Sequence, residues 1–68
     1  MIVAPERVAR RLVKDSGGSI EGAIAKGAEI LRRIEGADDQ SVIEMYREAL
    51  MLLNWWFQAQ QEAIDEAT

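Results

Sequence analysis

The stretch Ala49-Leu50-Met51-Leu52-Leu53-Asn54-Trp55-Trp56-Phe57 lies inside one long helical pattern and is apolar almost all the way round. A helix needs an apolar stripe only about 100° wide to face its own core. The surplus, chiefly Met51, Leu52 and Trp55, is therefore expected to cover a second copy of the chain or a different protein, the alternative being that the first helix wraps round and covers it within the chain. The expected interface comprises Ala49, Met51, Leu52, Asn54, Trp55, Trp56 and Gln58. A buried Trp contributes about 150–250 Å² of contact, and Trp is over-represented where binding energy concentrates.

A chain of 68 residues reads as a single domain of the smallest sort, burying only about 60% of its unfolded surface. Disulfides, metals or oligomerisation usually support so thin a core. There is no cysteine and no histidine, so disulfides, thiolate chemistry and the commonest metal ligands are excluded. Oligomerisation is the remaining support, and a homodimer is the expected state.

The net charge of -4 is unevenly spread. Residues 1–15 carry Arg7, Arg10, Arg11 and Lys14 against Glu6 and Asp15, a balance of +2. From Ala37 onward, Asp38, Asp39, Glu44, Glu48, Glu62, Asp65 and Glu66 face only Arg47, a balance of -6. An acidic total disfavours nonspecific binding to nucleic acid or to a membrane surface. No apolar run approaches the roughly 20 residues of a membrane span, no signal-peptide pattern opens the chain, and a cytoplasmic location is expected.

The helix boundaries are well marked. Pro5 and Glu6 suit a first helical turn, and Val8, Ala9, Leu12 and Val13 form a short stripe that ends at Asp15-Ser16-Gly17-Gly18. Ser19 is a natural N-cap, after which Ile20, Ala23, Ile24, Gly27, Ile30, Leu31 and Ile34 recur at helical spacing as far as Gly36. Asp38 or Asp39 caps a third helix with a sevenfold repeat: Ile43, Leu50, Phe57 and Ile64, beside Tyr46, Leu53, Gln60 and Ala67. The expected helices span about 5–15, 19–35 and 39–66.

Folding the chain at the Gly36–Asp39 turn sets Ile34 opposite Ile43, Leu31 opposite Tyr46, Ile24 opposite Leu53 and Ile20 opposite Phe57. Gly27 falls opposite Leu50, where its missing side chain permits close approach. Continued in the same register, Gly17 meets Gln60 and Val13 meets Ile64. The first helix is then expected to extend the second beyond a Gly-Gly kink, with the Gln60 amide serving backbone groups freed by the kink. Glu62, Asp65 and Glu66 would lie near Arg10, Arg11 and Lys14. The fold expected is all-α: a kinked helical hairpin, or equivalently a three-helix protein with short, medium and long helices, dimerising into a bundle.

Chemistry has little to work with. Ser16, Ser19, Ser41, Tyr46 and Thr68 are the hydroxyl nucleophiles, and with no histidine only Lys or a carboxylate could activate them. Glu44 with Glu48, and Glu62 with Glu66, stand one turn apart, but helical di-metal sites add a Glu-x-x-His motif that this chain cannot supply. No enzymatic activity, metal or cofactor is expected, and both pairs read as a solvated row. Gly18-Ser-Ile-Glu-Gly22 has small-xxx-small spacing, which in an amphipathic helix says only that close packing is possible. Arg7, Arg10, Arg11 and Lys14 share one helical face, a secondary contact surface for phosphates or acidic protein, or simply a solvated face. Gly22, Lys26 and Glu29 offer little for base edges, so sequence-specific DNA reading is set aside.

In size and composition the chain resembles small acidic helical proteins of phages and mobile elements, including inhibitors of host defence systems. That resemblance implies a non-enzymatic protein-interaction module, homodimeric, whose surface occupies or blocks a site on another protein. A purely structural or assembly bundle, natural or artificial, is the alternative expectation. A nucleic-acid-binding accessory protein using the basic first helix stands behind both.

Overall fold

Each helix starts where a local device supplies what its first turn lacks. The computed structural model describes residues 4–67, which form α1 (Pro5–Asp15), α2 (Ile20–Ile34) and α3 (Gln40–Ala67). Pro5 at the first turn of α1 has no N–H to leave unpaired. Ser19 caps α2, its hydroxyl oxygen accepting from the Gly22 N–H at 3.0 Å. Asp39 caps α3: its Oδ1 accepts from the Ser41 hydroxyl at 2.6 Å and from the N–H groups of Ser41 and Val42 at 3.2 and 3.4 Å. These bonds favour the charged form and hold the Asp39 carboxyl below the usual carboxylate range, the Ser41 hydroxyl having the largest effect and the Val42 N–H the next.

The three helices are short, medium and long, as the pattern predicted, but α1 does not extend α2. Gly17 and Gly18 both have positive φ, +68° and +88°, which L side chains adopt only with strain. The Gly18 N–H bonds the Val13 carbonyl at 2.9 Å and the Gly17 N–H bonds the Lys14 carbonyl at 3.2 Å. This is the paired-bond helix ending of the Schellman type, which satisfies the last carbonyls of α1. Two successive left-handed residues reverse the chain where a kink was expected, and α1 doubles back over α2 and α3. The protein is the all-α, three-helix protein expected, with α1 folded back instead of continuing α2.

The reversal also overturns the contacts inferred for the far end of α3. Ile64 is half exposed, and Gln60 is exposed with every other residue of 58–67. Gly17 and Gly18 have their N–H groups satisfied within the chain reversal, so Gln60 is not needed there. Arg10 pairs with Glu6 and Arg11 with Asp15 inside α1, instead of with Glu62 and Glu66. Both pairs are solvent-exposed, and each contributes only about 0.3–0.5 kcal/mol.

Small residues set how closely the helices meet. Ala9, Ala23 and Ala49, one from each helix, have no exposed surface. Leu12 and Leu53 complete the buried cluster, with Ile20, Ile24, Leu50, Leu52 and Trp56 packed against it. Gly27 is buried at the point where all three helices converge. A Cβ there would lie 2.9 Å from Leu50 Cδ2 and 3.2 Å from Leu12 Cδ1. The α2–α3 register is therefore the one read from the sequence at Gly27 and Leu50. At the other turn, Gly36 does not take a positive φ. Glu35 keeps helical angles, and the Ala37 N–H bonds the Ile34 carbonyl at 2.9 Å.

The 28 residues of α3 rise about 42 Å at 1.5 Å each, and the molecule measures 47 × 22 × 17 Å. The last ten described residues of α3 thus stand clear of the three-helix body.

Candidate interaction face

α3 serves two neighbours, and this changes which of its residues are free. The stripe Ile43, Tyr46, Leu50, Leu53 and Phe57 faces inward, buried or half-buried. A second stripe, Ala49, Leu52 and Trp56, is offset from it by about 100° around the helix and packs against or within the same core. Ala49, expected at an interface, is fully buried within this chain. It belongs to the chain's own core cluster, with Ala9 and Leu12 of α1 and Ala23 of α2. Leu52 and Trp56 are half-buried, packed against the same cluster.

Neither helix reaches Met51 and Trp55, which keep 68% and 75% of their surface exposed. They border a groove of about 690 Å³ between the N-terminal end of α1 and the middle of α3, lined also by Ala4, Pro5, Leu52 and Asn54, with Glu6 and Glu48 at its edges. Pro5 sits beside α3 only because the Gly17-Gly18 reversal turns α1 back. Asn54 and Gln58 are exposed, so Asn54 is an edge residue of the face. Of the seven residues expected at an interface, the structure leaves Met51 and Trp55 open, with Asn54 beside them, Leu52 in the groove wall and Gln58 on the exposed side.

The basic residues Arg7, Arg10, Arg11 and Lys14 all lie on the exposed side of α1. A smaller cleft of about 300 Å³ runs beside them, with Val8, Leu12 and Ile30 as its apolar wall and Arg7, Arg11, Asp15, Lys26 and Tyr46 around it. The Arg11–Asp15 pair, at 3.3 Å, already places a carboxylate in that cleft. Tyr46 stands on the inward stripe of α3, and the reversal of α1 brings Arg7 and Arg11 to the same cleft.

Among the described residues no group of three or more acidic side chains is gathered as a metal would require. No described helix is long and apolar enough to cross a membrane. Thr68, one of the hydroxyls noted from sequence, lies outside the described residues. Comparisons with protein families, curated proteins and solved structures find no match to this chain.

Proposed function

We propose that this chain is a non-enzymatic protein-interaction module whose working surface is the Met51–Trp55 face, presented to a helix of another polypeptide. The observation that carries the reading is the 75% exposure of Trp55 at the mouth of an apolar groove that neither α1 nor α2 fills. Large aromatic side chains left in water beside a ready-made apolar concavity are the usual anchor of helix-in-groove recognition. Blocking a site on another protein, as a phage or mobile-element inhibitor does, would need no more than such a face.

A second reading is self-association on the same face, as a homodimer or a purely structural bundle. It is favoured by the thinness of the core, in which Leu53 is the one large side chain fully buried among the described residues.

The test is a synthetic helical peptide with a leucine seam and neutral flanks, titrated by calorimetry against wild type and Trp55→Glu. Wild type is expected to bind, and Trp55→Glu to bind at least about 30-fold more weakly, the effect of losing a hot-spot aromatic. Far-UV circular dichroism should show the same helicity in both, because Trp55 is not part of the core. Binding unaffected by Trp55→Glu would remove this face as the working surface.

A further inference from the structure

The charge around the exposed face defines the chemistry of what covers it. Glu44, Glu48, Met51, Trp55, Glu62 and Glu66 follow one another at steps of three, four or seven residues along α3, so they share one side of the helix. All four glutamates are exposed. The ion pairs among the described residues are Arg10–Glu6, Arg11–Asp15 and Arg33–Glu29, and none of them involves these four. They stand as i, i+4 pairs of like charge, an arrangement that opposes helix formation slightly. An apolar centre is thus flanked at both ends by two exposed carboxylates that no described cation pairs with.

Resting on the interaction-face reading above, we infer that the occupant is a basic amphipathic helix: an apolar seam for Met51 and Trp55, with lysine or arginine near each end for the two glutamate pairs. A helix fits because the row is straight and, from Glu44 to Glu66, about 33 Å long at 1.5 Å per residue. The described residues contain no strand, so there is no sheet edge for an extended peptide to join. A second copy of the chain fits poorly. An antiparallel two-fold pairing centred on Trp55 sets Glu44 opposite Glu66 and Glu48 opposite Glu62, and a parallel pairing sets each glutamate opposite itself. Either register stacks carboxylate on carboxylate, and like charges placed directly together across an interface select against that partner. A basic helix turns the same four groups into attractive contacts, which hasten encounter and set its register.

The experiment uses two helical peptides of about 20 residues, roughly 30 Å long, with the same leucine seam and either lysine or glutamate at the flanking positions. Each is titrated against the full chain at low and at physiological salt. Exposed ion pairs each change affinity by a factor of roughly 1.5–5, so four should favour the lysine peptide by about tenfold or more at low salt. The preference should shrink as salt is added. The variant carrying Glu44→Gln, Glu48→Gln, Glu62→Gln and Glu66→Gln should still bind the neutral peptide while losing most of the preference. Equal binding of lysine and glutamate peptides would overturn the basic-partner inference and leave the interaction face standing. Loss of all peptide binding, neutral included, would instead overturn the face itself. Light scattering that shows a wild-type dimer at neutral pH and low salt, absent in Trp55→Glu, would replace the basic partner with a second copy.

Discussion

Gly27 is where the packing is tightest, and changing it tests the whole three-helix arrangement. Alanine at this position would place Cβ 2.9 Å from Leu50 Cδ2 and 3.2 Å from Leu12 Cδ1, against about 3.5–4.0 Å for an unstrained carbon pair. Two opposing effects follow. Replacing glycine in a helix interior by alanine gains about 1 kcal/mol from backbone entropy, while forcing neighbours aside in a packed core costs about 1–3 kcal/mol. Gly27→Ala should therefore lose about 0–2 kcal/mol. Gly27→Leu gains no more from the backbone and adds three carbons aimed at both leucines, so its net loss should be about 1–3 kcal/mol. Gly36→Ala is the control: nothing lies within 4 Å of its Cβ position and its φ is not positive. It should be neutral or stabilising by about 0.4–1 kcal/mol. Urea and thermal unfolding followed by far-UV circular dichroism read all three, at roughly 4–8 °C per kcal/mol for a chain of this size. A double-mutant cycle of Gly27→Ala with Leu50→Ala should show coupling of at least about 0.5 kcal/mol, because the second change removes the methyl that the first collides with. A Gly27→Leu protein that melts with the wild type, together with no coupling to Leu50, would refute the close crossing.

Asp39 predicts a pH dependence with a definite sign. Its carboxyl is held below its ordinary value of 3.8 by the Ser41 hydroxyl first and the α3 N–H groups next. Stability from this cap is therefore present in full above the unfolded-state value and is lost as pH falls through the lowered folded-state value. Asp39→Asn, which cannot titrate, should flatten that part of the stability–pH curve, and an acid limb identical in the two proteins would dismiss the cap. At the other end of α3, residues 58–67 are all exposed. A chain ending at Gln60 should melt within about 4 °C of the full chain, the shift expected for a change below about 1 kcal/mol. A larger fall would mean that the end of α3 packs on something.

The starts of all three helices were legible because their causes are local. Pro5, Ser19 and Asp39 each act within one turn of their own position, and nothing distant can change what they do. The α2–α3 register was legible for a related reason: the Glu35–Asp39 connection is too short to permit many pairings, and the one that aligns apolar residues brings Gly27 to Leu50. The path of α1 was not legible. Asp15-Ser16-Gly17-Gly18 is as compatible with a bent continuous helix as with a reversal. The choice depends on whether Gly18 donates back to Val13, and on whether the apolar stripe of α1 is better covered by the end of α3 or by its middle.

A signal for that packing was nevertheless present in α3. Leu50, Leu53 and Phe57 form one helical stripe, and Ala49, Leu52 and Trp56 form another beside it. A helix that meets one neighbour needs one stripe, so two adjacent stripes call for two neighbours. Alanine at positions 9, 23 and 49 supplies the small residue that each helix needs for three to converge. Part of the apolarity beyond one stripe, Ala49, Leu52 and Trp56, is taken up within the chain's own core. Subtracting both stripes leaves Met51 and Trp55, on the side where Glu44, Glu48, Glu62 and Glu66 also lie. The smaller remainder is the more informative one. A broad apolar surface would accept many partners, including a copy of itself, whereas two large side chains between pairs of carboxylates discriminate by charge as well as by shape.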